Sequence, residues 1–225
     1  VKVGYIVMEY VGGRSLKQIR KARNAPLPPA QAVAYIVEIA SALDYLHGQG
    51  LAYCDFKPDN VMQTDEQLRL IDLGAVVAMD DDDCVIYGTH GYQAPEIAWT
   101  GPTVATDIHT VGRTLAVLVM DPSPTNGNSD DRLAGPETVP VFAEHQSLYR
   151  AILRATDRDP SRRFESMSEM ADQLTGVLHE IVASDTGIPQ PRMSRHFSPQ
   201  RAIYGAGLNV VMTPSSVISA LGVPK

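Results

Sequence analysis

Residues 51–74 read LAYCDFKPDNVMQTDEQLRLIDLG, and this stretch constrains the fold more than any other. Two β-prone runs, Val61-Met62 and Leu68 to Ile71, are joined by a polar turn around Asp65, which predicts a small two-stranded ribbon. Its two ends carry Asp55, Lys57 and Asn60 on one side and Asp72 on the other. A ribbon this short needs a helical body to hold it, and the flanking sequence supplies one. From Pro29 to His47 the apolar residues Val33, Ile36, Val37, Ala40, Leu43 and Leu46 recur at helical spacing, with Gly48 and Gly50 as stop signals. Thr106 to Met120 is apolar on nearly every face, which predicts a helix at the domain centre. Helical spacing returns at Leu148, Ile152 and Leu153, and at Met170, Leu174, Val177 and Ile181. Ser166-x-x-Glu169 ahead of the last of these has the form of a capping box.

The remaining segments fill in the organisation. YIVMEYV, from Tyr5, is expected to be a buried strand running into a turn at Gly12-Gly13. Residues 75–96 have no sustained period and include Asp80 to Asp83, which predicts a long, solvated loop. Residues 122–140 read as a surface connection. The expected organisation is a strand and turn over 1–13, a helical lobe over 14–183, and a linker or tail over 184–225. Because the sequence opens on Val1 in an apolar run, it is expected to begin inside a longer gene product.

Composition narrows the function classes. The 225 residues, 44% of them hydrophobic, can bury a real core. A net charge of -7 argues against a broad nucleic-acid or anionic-membrane surface, though not against a local basic pocket. The run LAVLVM from Leu115 is far too short to span a bilayer. The two cysteines, Cys54 and Cys84, form no C-x-x-C pair, so a reducing cytosol fits best and a cytoplasmic protein is expected.

Phosphoryl transfer from a nucleotide needs a carboxylate to orient the attacking hydroxyl, hard oxygen ligands for Mg²⁺, and a cation beside the migrating group. Asp55 can be the first, Asn60 and Asp72 the second, and Lys57 the third.

Asp55-Phe-Lys57-Pro-Asp-Asn60 resembles the D-x-K-P-x-N catalytic loop of serine/threonine protein kinases, and Asp72-Leu-Gly74 resembles their D-F-G turn. YIVMEYVGG resembles the kinase hinge. The resemblance implies that Met8, Glu9, Tyr10, Val11 and Met62 surround the adenine of ATP, with Mg²⁺, or Mn²⁺ in its place, on Asn60 and Asp72. Gly88-Thr89 and Ala94-Pro95-Glu96 resemble the end of an activation segment, which puts Thr89 on the substrate side. Asp107 followed by Gly112 is similar to the central-helix motif that anchors the catalytic loop, and Arg163 is similar to the arginine that pairs with the glutamate of A-P-E, here Glu96. Residues 5 to about 182 thus resemble the hinge and C-terminal lobe of a kinase. The implied fold is α+β, mostly helical, without the N-terminal lobe. GPTVATDIHTVGRTLAVL, LIDLGAV, QAPEI and DTGIPQPRMSRHFSPQR further resemble the soluble actinobacterial protein kinase G family, distinct from the cyclic-GMP-dependent kinases. That resemblance implies a redox-type metal domain before the kinase, tetratricopeptide repeats after it, and protein substrates.

Three departures have consequences. Tyr53-Cys54 replaces the usual His-Arg, and no Ser or Thr lies between Gly74 and Gly88, so activity is expected not to depend on activation-loop phosphorylation. Leu73 for Phe is a conservative change. The Gly-rich loop, the strand lysine and its partner glutamate lie upstream of the hinge in a kinase, and nothing in these 225 residues replaces them, so the isolated chain is expected to transfer phosphate negligibly. Two other functions compete with a Ser/Thr kinase. One is a kinase-lobe scaffold without activity. The other is a small-molecule phosphotransferase, which the A-P-E and Gly88-Thr89 segments disfavour.

Overall fold

Contacts divide the chain into two units, Val1–Gln190 and Pro191–Lys225. The structure is a computed structural model and describes residues 9–81, 85, 87–120 and 133–191; all the elements below lie in the first unit.

The chain enters through β1 (Arg14–Ser15) and α1 (Leu16–Arg23). The sequence pattern passes over this helix because only Leu16, Ile19 and Ala22 in it are apolar. A reciprocal cap forms it instead: Ser15 Oγ accepts from Gln18 N at 3.2 Å while Ser15 N donates to Gln18 Oε1 at 2.9 Å. Leu16 is fully buried, and Asn24 ends the helix in the left-handed conformation. The expected hinge strand falls on residues 1–8, which lie outside the described residues, and on Glu9 to Val11, which join no ladder among the described residues.

Helix α2 (Pro29–Gly48) matches the expected span, with Gly48 as its last residue rather than beyond it. Then follow β2 (Leu51–Ala52), β3 (Val61–Gln63), β4 (Leu68–Leu70) and β5 (Val77–Ala78). The expected two-stranded ribbon is β3 paired with β4, and here the structure corrects the reading. β1 adds a third antiparallel strand, Arg14 opposite Gln63 and Ser15 opposite Met62. A second sheet pairs β2 with β5, and β5 lies inside residues 75–96, which the sequence presents as a long loop. Two-residue strands have no readable alternation, so only the tertiary pairing reveals them. Gly13, at φ +115, permits the first of these pairings: a Cβ there would stand 2.1 Å from the carbonyl oxygen of Gln63.

The helical body continues with α3 (Ile97–Thr100), α4 (Val104–Val119), α5 (Pro140–Glu144), α6 (Gln146–Ala155) and α7 (Met167–Thr186). α4 begins two residues before the expected Thr106, because Thr103 caps it reciprocally with Thr106. α5 uses Pro140, the end of the expected connection, as its first residue. Ser166 caps α7 by accepting from Glu169 N at 3.0 Å, but the Glu169 carboxylate does not close the expected box; it accepts from Glu165 N and from Arg154. α7 runs to Thr186 and stops at Gly187, φ 69.

α2 packs against α7 and α4, and α6 against α4 and α7. α4 and α6 approach closely at Gly112, where a Cβ would stand 2.7 Å from that of Ala155. The same buried cluster takes in Tyr53, Phe56 and Val61, so the loop that carries Asp55 is rooted in the helical core.

Candidate active site

Two side chains expected to share a ligand, Asn60 and Asp72, stand twelve positions apart in sequence. The ribbon closes that gap. Val61 lies opposite Leu70, and Ile71 N continues the ladder by donating to Asn60 O at 3.0 Å. Asn60 is therefore opposite Ile71 and next to Asp72 at the same end of the ribbon. Asp72 sits at φ 61, where its carboxylate accepts from Gly74 N at 3.2 Å and caps the turn Leu73–Ala75. The structure thus brings this expected pair together.

The loop between β2 and β3 is fixed by α4. Asp107, fully buried, accepts from Tyr53 N at 2.7 Å and Cys54 N at 2.8 Å. Two charge-assisted bonds of this kind hold Cys54 at φ 65, a conformation that a non-glycine residue adopts only when its surroundings impose it. Thr114, seven residues and two turns further along the same face of α4, donates to Phe56 O at 3.0 Å. The Cys54 side chain is buried beside Ala52 and Ala75, with Val77 and Met79 packed against them, so it fills a small contact between β2, β5 and the Asp72 turn.

Two anchoring residues escaped the sequence reading. His47, in the last turn of α2, donates through Nε2 to Asp107 Oδ2 at 2.9 Å. No histidine spacing announces it. Thr114 did carry a signal, a polar residue at i+7 from Asp107 in an otherwise apolar helix.

At the centre stands Asp55. Its Oδ2 accepts from Lys57 Nζ at 2.6 Å and from Asn60 Nδ2 at 3.1 Å. Its Oδ1 accepts from the Thr89 hydroxyl at 2.7 Å, and Lys57 Nζ is 2.7 Å from that same hydroxyl. Asp55, Lys57 and Thr89 close a triangle, and Asn60 ties it to the ribbon through a second bond to Asp55 O at 3.0 Å. Tyr53, below the loop, is fully buried and donates to Ile71 O at 2.5 Å. Burial first, and then the negative charges of Asp55 and Asp72, push its phenol well above the usual range, so it stays a neutral donor.

The residues expected around a nucleotide base are less gathered. Met8 lies outside the described residues. Glu9 receives a bond from Arg69 at 3.2 Å, Tyr10 is 90% exposed, and Val11 and Met62 are half-buried. Met62 shares the ribbon with Asn60. Among the described residues no three His, Cys, Asp or Glu side chains converge on one point. The oxygens of Asn60 and Asp72 fit a hard divalent ion that draws its remaining ligands from phosphate and water, which is how Mg²⁺ is commonly held.

On the far side of the activation segment Arg163 and Glu96 form a bidentate pair, Nη1 to Oε1 at 2.5 Å and Nη2 to Oε2 at 2.9 Å. Arg163 also donates to Ala105 O and Asp157 O, so the buried guanidinium is well satisfied. Nearby, His109 Nδ1 meets Tyr92 O at 3.2 Å. Burial, reinforced by the Arg163 charge, lowers its pKa to about 4.

Residues 2–187 match the protein kinase domain model. The chain belongs to the protein kinase family. It is 52% identical over 237 residues to the serine/threonine-protein kinase PknG of Mycobacterium leprae (strain TN), covering 99% of this chain and 31% of that protein. To PknG of Mycolicibacterium smegmatis it is 56% identical over 211 residues, 94% of this chain and 27% of that protein. A probable serine/threonine-protein kinase of Clostridium perfringens is 29% identical over 214 residues, 88% of this chain and 31% of its own length. The chain thus spans under a third of each of these relatives. No helix among the described residues is long and apolar enough to cross a membrane.

Proposed function

We propose that this kinase lobe serves a protein that transfers the γ-phosphate of ATP to serine or threonine hydroxyls of other proteins. The observation that carries the reading is the Asp55–Lys57–Thr89 triangle. A substrate hydroxyl has to reach a carboxylate oxygen at about 2.6–3.2 Å, and Asp55 Oδ1 already holds an aliphatic hydroxyl, that of Thr89, at 2.7 Å. Asp55 accepts the proton of the acceptor hydroxyl. Lys57 stays within reach of the migrating phosphoryl oxygens, and Thr89 shapes the substrate side. Asn60 and Asp72 would hold the Mg²⁺ that neutralises the phosphates, and Glu9 to Val11 with Met8 and Met62 would line the adenine.

The buried, apolar placement of Cys54 supports activity without activation-loop phosphorylation, because no arginine stands there to read a phosphate. The 225 residues contain no Gly-rich phosphate loop, and we assign transfer to the longer protein, in the cytosol where ATP is available. Redox and tetratricopeptide-repeat domains beside the lobe are the partners that the protein kinase G likeness suggests.

The test is to incubate the full-length protein with γ-labelled ATP, Mg²⁺ and a cell-extract protein mixture, then hydrolyse the products to amino acids. Label on phosphoserine and phosphothreonine is expected. Label only on a small molecule, or none on protein, would overturn the reading.

A further inference from the structure

A cavity of about 580 Å³ opens beside the triangle, between the loop that carries Lys57 and helix α1. Lys57 and Thr89 form one wall, while Asn60, Asp72 and Met62 take no part in its lining. It is therefore distinct from the nucleotide side of Asp55. The opposite wall is the face of α1 that carries Lys17, Arg20 and Lys21. The lining holds four cationic side chains against one carboxylate, Asp59; leaving out Lys57, which Asp55 neutralises, it is still three against one. This sign opposes that of the chain, whose net charge is -7.

The wall is built rather than incidental. Lys17 N donates to Pro58 O at 3.0 Å, which pins the start of α1 to the catalytic loop, and Lys17 Nζ meets Asp59 at 2.7 Å while staying 64% exposed. Arg20 is fixed by donating through Nη2 to Met120 O at 2.7 Å, and its buried Nε has no partner among the described residues. Arg20 and Lys21 sit in the last turn of α1, where the helix C-terminus favours cations, while Lys17 lies in its first turn and is held there by Asp59. Ala25, Pro58 and Val117 supply an apolar floor. Tyr92 lines the cavity as well; burial raises its pKa, while Arg20 and Lys17 act against that rise.

We propose that this cavity binds an anionic group of the protein substrate, a carboxylate or a phosphate carried close to the acceptor hydroxyl, through Lys17, Arg20 and Lys21. The proposal rests on the kinase reading above, since the acceptor is the hydroxyl that reaches Asp55. A cavity of this volume is roughly 8 Å across, or two to three residues of extended chain at about 3.3 Å each. The anion thus lies within about three residues of the phosphorylated Ser or Thr.

The experiment uses the full-length protein, wild type and the Lys17→Glu/Lys21→Glu double variant, both changes being at exposed positions. Threonine-acceptor peptides carry Asp, phosphoserine, Ala or Lys at each position within three of the acceptor. The wild type is expected to favour an anionic residue at one or more of these positions by about tenfold in kcat/KM, chiefly through KM. The double variant should lose that preference and favour Lys, with KM for ATP unchanged. A phosphate-bearing source would show a preference that weakens between pH 7.5 and 5.5 as the phosphate takes up its second proton near pH 6; a carboxylate source would stay level. A wild type indifferent to charge, an undiminished preference in the double variant, or a change confined to KM for ATP would each overturn the proposal. Fluorescence polarisation of labelled acidic peptides, without nucleotide, is run in parallel. If the wild type phosphorylates no peptide, the kinase reading fails, and acidic-peptide binding that the double variant does not weaken still decides against the cavity.

Discussion

Two ionic clusters flank the activation segment, and they differ in burial. The Arg163–Glu96 pair has side-chain exposures of 0% and 5%, and both guanidinium nitrogens of its fork meet the carboxylate. Lys57 and Asp55 keep 20% and 13%, and their bonds are shared with the Thr89 hydroxyl and with Asn60. Removing one partner of a buried pair strands a charge with no water to take it. A half-open pair can exchange partners, which the proposed phosphate transfer would require of it. The contrast teaches that the same residue chemistry serves as scaffold in one place and, on the function proposed above, as working group in the other, and that solvent access separates the two.

Asp55→Asn in the full-length protein should break the working cluster without touching the scaffold. Phosphate transfer should fall by about 10³- to 10⁴-fold, the upper range for a positioned base, with amide exchange across α4 and α7 unchanged. Transfer at wild-type rate would end the comparison. Arg163→Ala should do the reverse, destabilising the lobe by about 3–5 kcal/mol. Hydrogen–deuterium exchange over α4 and the Glu96 segment would report it. Glu96→Leu with Arg163→Met should recover only part of this, because the carbonyls of Ala105 and Asp157 lose their donor in either case.

His109 sharpens the scaffold side through pH. Its folded pKa of about 4 lies below the ordinary 6.5, so between these values the unfolded chain binds the extra proton. Stability should be undiminished above pH 6.5 and should fall by roughly 3 kcal/mol as pH drops toward 4. His109→Gln should flatten that slope in denaturant titrations between pH 7 and 4.5, and an unchanged slope would remove His109 as its source. The smallest expected effect is at the cap of α7. Ser166→Ala should cost about 1 kcal/mol and raise exchange at the first turn of α7, with transfer to peptide unaffected.

How much was readable follows from the range of each interaction. Asp55, Lys57 and Asn60 fall within six residues, and one loop conformation places them together. The bounds of α2 were legible because its apolar period is long. β1, β2, β5 and α1 were not, since each is too short or too polar to carry a period and exists through pairing or capping. The Ser166-x-x-Glu169 pattern shows the limit of a local rule: the serine caps as expected, while Arg154 and Glu165 N hold the glutamate.

By itself the sequence determined the helical body, the grouping of Asp55, Lys57 and Asn60 on one loop, and the family, because these depend on spacing within a few turns of chain. Tertiary structure alone decided that Asp107 and Thr114 of α4 hold one loop while His47 of α2 holds Asp107. It also decided that Thr89 shares the carboxylate of Asp55, and that the basic face of α1 looks onto Lys57. Each of these joins residues tens of positions apart, and no local periodicity records such a meeting; it is fixed only when the core has packed.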